Sequence, residues 1–190
     1  MPSGQANGHL YADYWNGSAW TWIDLGTPPG TVVAQHEGAI SKAPPTAITF
    51  PKGRQQRVYA FVVGDNHHLY VKYWNGAKWA WAAQGTPSGT TVHPSPTPAV
   101  ITYVQAGEQR IYAFVVGADH HLHVNYWNGK WHWADLGRPS VTTTFWNIAA
   151  ITFSKARKRL IYVFASCTDG HLRMNRWNGT TWTWSDLGTP

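Results

Sequence analysis

Residues 68–87 read HLYVKYWNGAKWAWAAQGTP, and the chain writes this phrase four times. The other copies are HLYADYWNGSAWTWIDLGTP from His9, HLHVNYWNGKWHWADLGRP from His121 and HLRMNRWNGTTWTWSDLGTP from His171. Of the 13 tryptophans, only Trp146 lies outside these copies. The anchor residues Trp15, Trp74, Trp127 and Trp177 recur every 50 to 59 positions. That period suits a four-stranded propeller blade with its linker. No stretch places apolar residues at i, i+3, i+4 and i+7. The apolar segments are short, β-branched and aromatic, which speaks for strands.

Each full unit reads as four strands. The first is an apolar run: Thr46 to Phe50, Ala99 to Tyr103, Ala149 to Phe153. The second is RVYAFVV (57–63), RIYAFVV (110–116) or LIYVFAS (160–166). The third is the HLYVKYW segment and its copies, and the fourth is the Trp-x-Trp segment. Asn-Gly joins third to fourth in every copy, and this pair tolerates the positive φ of tight hairpins. Third and fourth strands occur four times, first and second strands three times. The expected fold is therefore an all-β propeller of four-stranded antiparallel blades, about three and a half per chain. The half blade spans 9–26, and full blades span about 45–87, 97–139 and 146–190. Residues 1–8 read as a flexible lead-in. The Pro- and Gly-rich stretch from Gly26 to Pro45 is the longest connector, with room for a loop or an edge strand.

The 190 residues are 43% hydrophobic and 15% aromatic, enough for one sizeable domain and unlike a disordered tail. No apolar run reaches membrane-spanning length, so membrane insertion is not expected. MPSGQANG lacks the charged start and apolar core of a signal peptide. The default expectation is a cytoplasmic protein, with unconventional secretion left open. The single Cys167 excludes an internal disulfide framework and reads as a semi-buried thiol. The net charge of +6 gathers in the turns between first and second strands: Lys52, Arg54 and Arg57, then Lys155, Arg157, Lys158 and Arg159. Solvated hairpin tips explain such a pattern, and so does attraction for acidic glycans. No nucleic-acid motif accompanies the charge.

The string R-[VI]-Y-A-F-V-V-G-x-[DN]-x-H-L-x-V-x-Y-W-N-G-x-W-x-W-x-x-x-G-x-P resembles the repeat of sugar-binding β-propeller lectins. These include the Photorhabdus-type and the fucose-binding propeller lectins, and the resemblance covers the chain from Gly8 to Pro190. It implies a ring of six or seven blades with shallow sugar sites between neighbours. It also implies that short chains close a ring from several subunits. In the fucose-binding repeat, an Arg on the second strand and a Glu on the third hold the sugar. Arg57 and Arg110 match that Arg, and Leu160 replaces it in the last unit. The Glu position holds Ala12, Val71, Val124 and Met174, whose side chains accept no hydrogen bond. Fucose recognition by that route is not expected here.

Sugar sites combine aromatic faces with hydrogen-bonding groups. The anchors Trp15, Trp74, Trp127 and Trp177 are expected in the core. Within each Trp-x-Trp pair, strand alternation points both rings the same way. The first rings, Trp20, Trp79, Trp131 and Trp182, are candidates for stacking on a sugar, with packing between blades the competing role. The repeated His9, His68, His121 and His171 suit either a sugar hydroxyl or a ring hydrogen bond that fixes the adjoining turn. Arg57 and Arg110 complete the candidate sugar-binding set. His120, His121 and His123 cluster in one unit only, without recurring acidic or cysteine partners, so no metal site is assigned.

No Gly-x-Ser-x-Gly, HExxH, phosphate loop or paired cysteine appears, and the sequence asks for no cofactor. No catalytic residues are assigned. NGTTWTW at 178–184 faintly echoes the Asp-box turn of sialidase propellers, but its Asp is replaced and an Arg triad cannot be placed. The function expected is multivalent glycan recognition without catalysis, by a homo-oligomer, most simply a dimer, that closes the ring. A protein-interaction propeller is the alternative, and a sialidase-like glycosidase a weaker one. The WD dipeptide of interaction propellers is missing.

Overall fold

The computed structural model describes residues 7–34, 44–140 and 143–189, and no helix occurs among them. No helix is therefore long and apolar enough to cross a membrane among the described residues. Residues 1–6 of the proposed lead-in and 35–43 of the long connector lie outside the described residues.

The strands are β1 (Tyr11–Trp15), β2 (Trp20–Asp24), β3 (Thr46–Lys52), β4 (Gln55–Val63), β5 (Leu69–Trp74), β6 (Trp79–Gly85), β7 (Ala99–Gln105), β8 (Glu108–Val116), β9 (Leu122–Trp127), β10 (Trp131–Asp135), β11 (Phe145–Lys155), β12 (Lys158–Cys167), β13 (Leu172–Trp177) and β14 (Trp182–Asp186). β1 and β2 form a two-stranded hairpin, blade 1. β3–β6, β7–β10 and β11–β14 form three four-stranded antiparallel sheets in sequential order, blades 2 to 4. The chain is thus an open propeller of about three and a half blades. The first strands of the full blades touch one another, β3 on β7 and β7 on β11. They sit side by side at the hub.

Alternating side chains serve two blade boundaries at once. In blade 2, Tyr59, Phe61 and Val63 face blade 3, while Ala60 and Val62 face blade 1. Phe61 and Phe114, both fully buried, stand at the same register in β4 and β8. Each receives a tryptophan from the next blade: Trp131 packs edge-on against Phe61 at 6.2 Å, and Trp182 against Phe114 at 5.9 Å. Burying one such phenylalanine stabilises the fold by roughly 1.5–3 kcal/mol, and each edge-to-face pair adds about 0.5–1.5 kcal/mol. In blades 2 to 4 both rings of the Trp-x-Trp pair turn to the preceding blade, as alternation requires: Trp131 and Trp133 join the core beneath blade 2.

The linkers stitch blades together through backbone. Val33 bridges Gly64, and Val92 bridges Gly117. Each linker thereby adds itself to the turn that enters the third strand of the next blade.

The Asn-Gly turns differ from the two-residue hairpin that the dipeptide suggests. Trp15 pairs with Trp20 and Trp74 with Trp79, leaving four residues in the loop. The Asn side chain organises it: Asn75 Oδ1 accepts from the amides of Ala77 at 2.9 Å and Lys78 at 3.0 Å. Gly76 then takes φ +98°, a region L side chains avoid. The third copy, one residue shorter, closes Trp127 on Trp131 over three residues.

Candidate binding grooves between the blades

At the end of the blades where these turns gather, a groove opens at each boundary between full blades. Between blades 2 and 3 it measures about 450 Å³. Phe50 and Tyr59 form one wall; Ile111, Trp127 and Trp131 form the other. Phe50 and Tyr59 stand 5.1 Å apart, and Trp127 and Trp131 stand 5.5 Å apart at 62°. Lys52 and Glu108 supply the charges at its mouth.

The boundary between blades 3 and 4 repeats the arrangement. Two adjoining grooves of about 300 and 350 Å³ share Tyr112 and Trp177. The first is lined further by Tyr103, Gln105, Arg157, Lys158, Arg159 and Gly179, the second by Tyr126, Asp135, Ile161 and Trp182 among others. Tyr112 stands where Tyr59 stands in blade 2, and Trp177 where Trp127 stands in blade 3. Burial, then a hydrogen bond with Tyr112, pushes the Tyr103 phenol well above its ordinary pKa.

The anchor tryptophans therefore stand at the edge of the core rather than within it. Trp127 and Trp177 are half-buried, each packing against a core cluster and also lining a groove. Trp74 is half-buried as well. Trp15 is 54% exposed, since no blade precedes blade 1 in the structure.

The sequence-derived candidates separate into groups. Trp131 and Trp182 lie in grooves and also pack on the phenylalanine behind. Trp79 is half-buried against blade 1, and Trp20 is exposed. Arg57 and Arg110 lie two positions before Tyr59 and Tyr112, on the same strand faces. The Nη1 atoms of both are buried without a hydrogen-bond partner, a costly state for a guanidinium. Arg110 Nη2 meets Glu108 at 2.9 Å. Val71 and Val124, at the position of the fucose-gripping carboxylate, are buried core.

The four histidines line none of these grooves. His9 Nδ1 donates to Asp24 at 2.8 Å, His121 to Asp135 at 2.9 Å and His171 to Asp186 at 2.9 Å. Each pair ties the start of a third strand to the end of the fourth. The same carboxylates accept the amides of Gly26, Gly137 and Gly188. For Asp24 the Gly26 amide and then His9 lower the carboxyl pKa; for Asp186 His171 leads, followed by Gly188. At Asp135 partial burial opposes the shift, but the Gly137 amide and His121 outweigh it. The paired aspartates went unassigned from sequence. Their signal is the Asp-Leu-Gly that follows each histidine at 14 or 15 residues, absent only after His68, where Ala83 stands.

His123 pairs with Asp119 at 3.1 Å. Cys167 is buried, and burial raises its thiol pKa, with Arg173 opposing.

No protein-family model and no curated protein sequence matches the chain. Solved structures do. A fucose lectin from Kordia zhangzhouensis, in complex with methyl-fucoside, is 18% identical, with TM-score 0.59 over 76% of this chain and all of that one. A variant of the Aleuria aurantia lectin, with α-methyl-L-fucoside, is 17% identical, with TM-score 0.57 over 86% of this chain and 50% of that one. AofleA from Arthrobotrys oligospora is 12% identical, with TM-score 0.61 over 93% of this chain and 49% of that one. The chain thus spans the whole Kordia lectin but about half the length of the other two. At these identities the likeness concerns the propeller fold.

Proposed function

We propose that this chain is a non-catalytic carbohydrate-binding propeller whose sugar sites are the grooves between its blades. One observation carries the proposal: the same aromatic-walled groove, a tyrosine facing a half-buried tryptophan, recurs at two successive boundaries. The half-buried rings of Trp127 and Trp177 at the groove mouths offer faces on which sugar C–H groups stack. Arg57 and Arg110 share strands with Tyr59 and Tyr112, but neither lines a groove and their unpaired Nη1 atoms are buried. The fucoside complexes of two proteins of the same fold support a saccharide as the ligand class.

The sites are multivalent, and a second copy of the chain completes the ring. Trp20 and Trp22, 67% and 70% exposed on blade 1, stand in the register where Trp131 and Trp133 are covered by blade 2. The outer face of blade 4 offers the matching receptor, with Ile151, Leu172 and Leu187 exposed. Docking these faces head to tail repeats contacts that the chain already makes internally, and it adds a further groove at each junction. Several weak sites on one ring convert to tight binding of a glycan-covered surface through effective concentration.

A glycan array probed with size-fractionated protein tests the proposal. Retention on a defined sugar class, stronger for the assembled form, is the expected result. A folded, assembled protein that binds no glycan refutes it and leaves the interaction-propeller alternative.

A further inference from the structure

The two grooves share a plan but not a charge. The turn of blade 3 presents Gly107, Glu108 and Gln109 to the groove above blade 2. At the same register, blade 4 presents Arg157, Lys158 and Arg159 to the groove above blade 3. The first groove therefore carries Lys52 against Glu108, and the second carries three cations.

The third of these cations is placed across the boundary. Gln56 and Gln109, its counterparts, turn inward and donate to Thr49 and Thr102 of their own blades. Arg159 instead leaves Thr152 and lays its guanidinium over the Tyr103 ring of blade 3, 4.6 Å from the centroid. Cation–π contact fixes the plane while leaving the N–H edge free. Among the described residues, no carboxylate pairs with Arg157, Lys158 or Arg159. Glu108 lines the other groove and is held by Arg110 at 2.9 Å, and Asp135, toward the far end of this one, is held by His121. Tyr103, Tyr112 and Trp177 give the same cluster its apolar faces.

We infer that the groove between blades 3 and 4 takes a saccharide bearing a carboxylate or a sulfate, whereas the groove between blades 2 and 3 takes neutral sugars. The inference rests on reading the grooves as sugar sites. The ring of the ligand stacks on Trp177, and its anionic group meets the guanidinium edge of Arg159 with Lys158 and Arg157 beside it. Bidentate pairing of Arg with a planar or tetrahedral oxyanion supplies both charge and geometry.

Calorimetric titration with matched probes tests this. Methyl β-D-glucuronide is compared with methyl β-D-glucoside, and galactose 6-sulfate with galactose, so that the two arms separate carboxylate from sulfate. At least one anionic probe is expected to bind roughly tenfold or more tightly than its neutral match. That advantage shrinks in about 0.5 M salt. Arg159→Gln, which installs the residue found at positions 56 and 109 and therefore suits the fold, abolishes the preference without abolishing neutral binding. An unchanged preference in Arg159→Gln overturns the inference, as does equal affinity for charged and neutral probes. Inorganic sulfate binding as tightly as galactose 6-sulfate overturns it too, since the site is then an ion site only. Binding of neutral sugars alone refutes this inference and leaves the proposed function standing; binding of no sugar at all refutes both.

Discussion

Trp184 donates its indole N–H to the carbonyl of Leu136 across a blade boundary, at 3.0 Å. Trp133 makes the same bond to Gln84 at 2.9 Å. At these two boundaries the bond fixes the angle of one blade on the next, because it joins the last strand of one blade to the equivalent place at the end of the fourth strand before it. Its open-ended counterparts are the Trp22 indole on blade 1 and the Leu187 carbonyl beyond β14. Light scattering coupled to size exclusion is expected to give twice the mass of one chain. The double substitution Trp20→Ser and Trp22→Ser is expected to give one chain mass with unchanged far-ultraviolet dichroism. A monomeric unmodified protein contradicts ring closure by a second copy.

Phe114 and Phe164 occupy equivalent places on blades 3 and 4, but Phe114 is fully buried beneath Trp182 whereas Phe164 is half-buried. Phe114→Ala is expected to cost about 3–5 kcal/mol of stability, read from urea unfolding. In the monomeric background, Phe164→Ala is expected to cost less than half as much. Equal losses would mean that the outer face of blade 4 is covered in solution without a second copy.

The histidine–aspartate ties predict a direction for acid sensitivity. The carboxyls of Asp24 and Asp186 titrate below their ordinary value. Such a group gives its full contribution above the unfolded pKa, about 3.9, and loses it as pH falls through the folded value. Stability in urea is therefore expected to decline as pH drops from about 5 toward 2, and Asp186→Asn is expected to flatten that slope. A steeper acid slope in Asp186→Asn would contradict the assignment.

Blade 2 lacks its tie, because Ala83 stands opposite His68. Ala83→Asp is expected to restore it and to stabilise the protein by about 0.2–1 kcal/mol, the range for exposed ion pairs. The chemical shift of the His68 ring, followed by nuclear magnetic resonance, reports whether the new pair forms.

The blade plan was legible in the sequence because strand pairing follows local signals: apolar runs, Asn-Gly turns and the alternation that points Trp131 and Trp133 together. The burial of the anchor tryptophans was not legible. Whether Trp127 sits in the core or at the mouth of a groove depends on how far blade 2 reaches over it, and no repeat spacing encodes that reach. Nor does alternation distinguish Trp20 from Trp131, since exposure is decided by a neighbouring blade. The partner of His171 lies 15 residues away in sequence yet 2.9 Å away in space, a proximity created by the β13–β14 hairpin. The crossing of Arg159 to Tyr103 joins two blades and has no local signal at all.

The central claim, that sugars enter between blades, is tested most directly by following the tryptophan indole N–H resonances while titrating a glycan identified on the array. The grooves predict saturable shifts at Trp127 and Trp131, or at Trp177 and Trp182, with Trp22 and Trp146 unmoved. Trp127→Ala should weaken binding at its groove roughly tenfold. Shifts confined to Trp22 or Trp146, with the groove indoles silent at saturation, would place the ligand elsewhere and contradict the account.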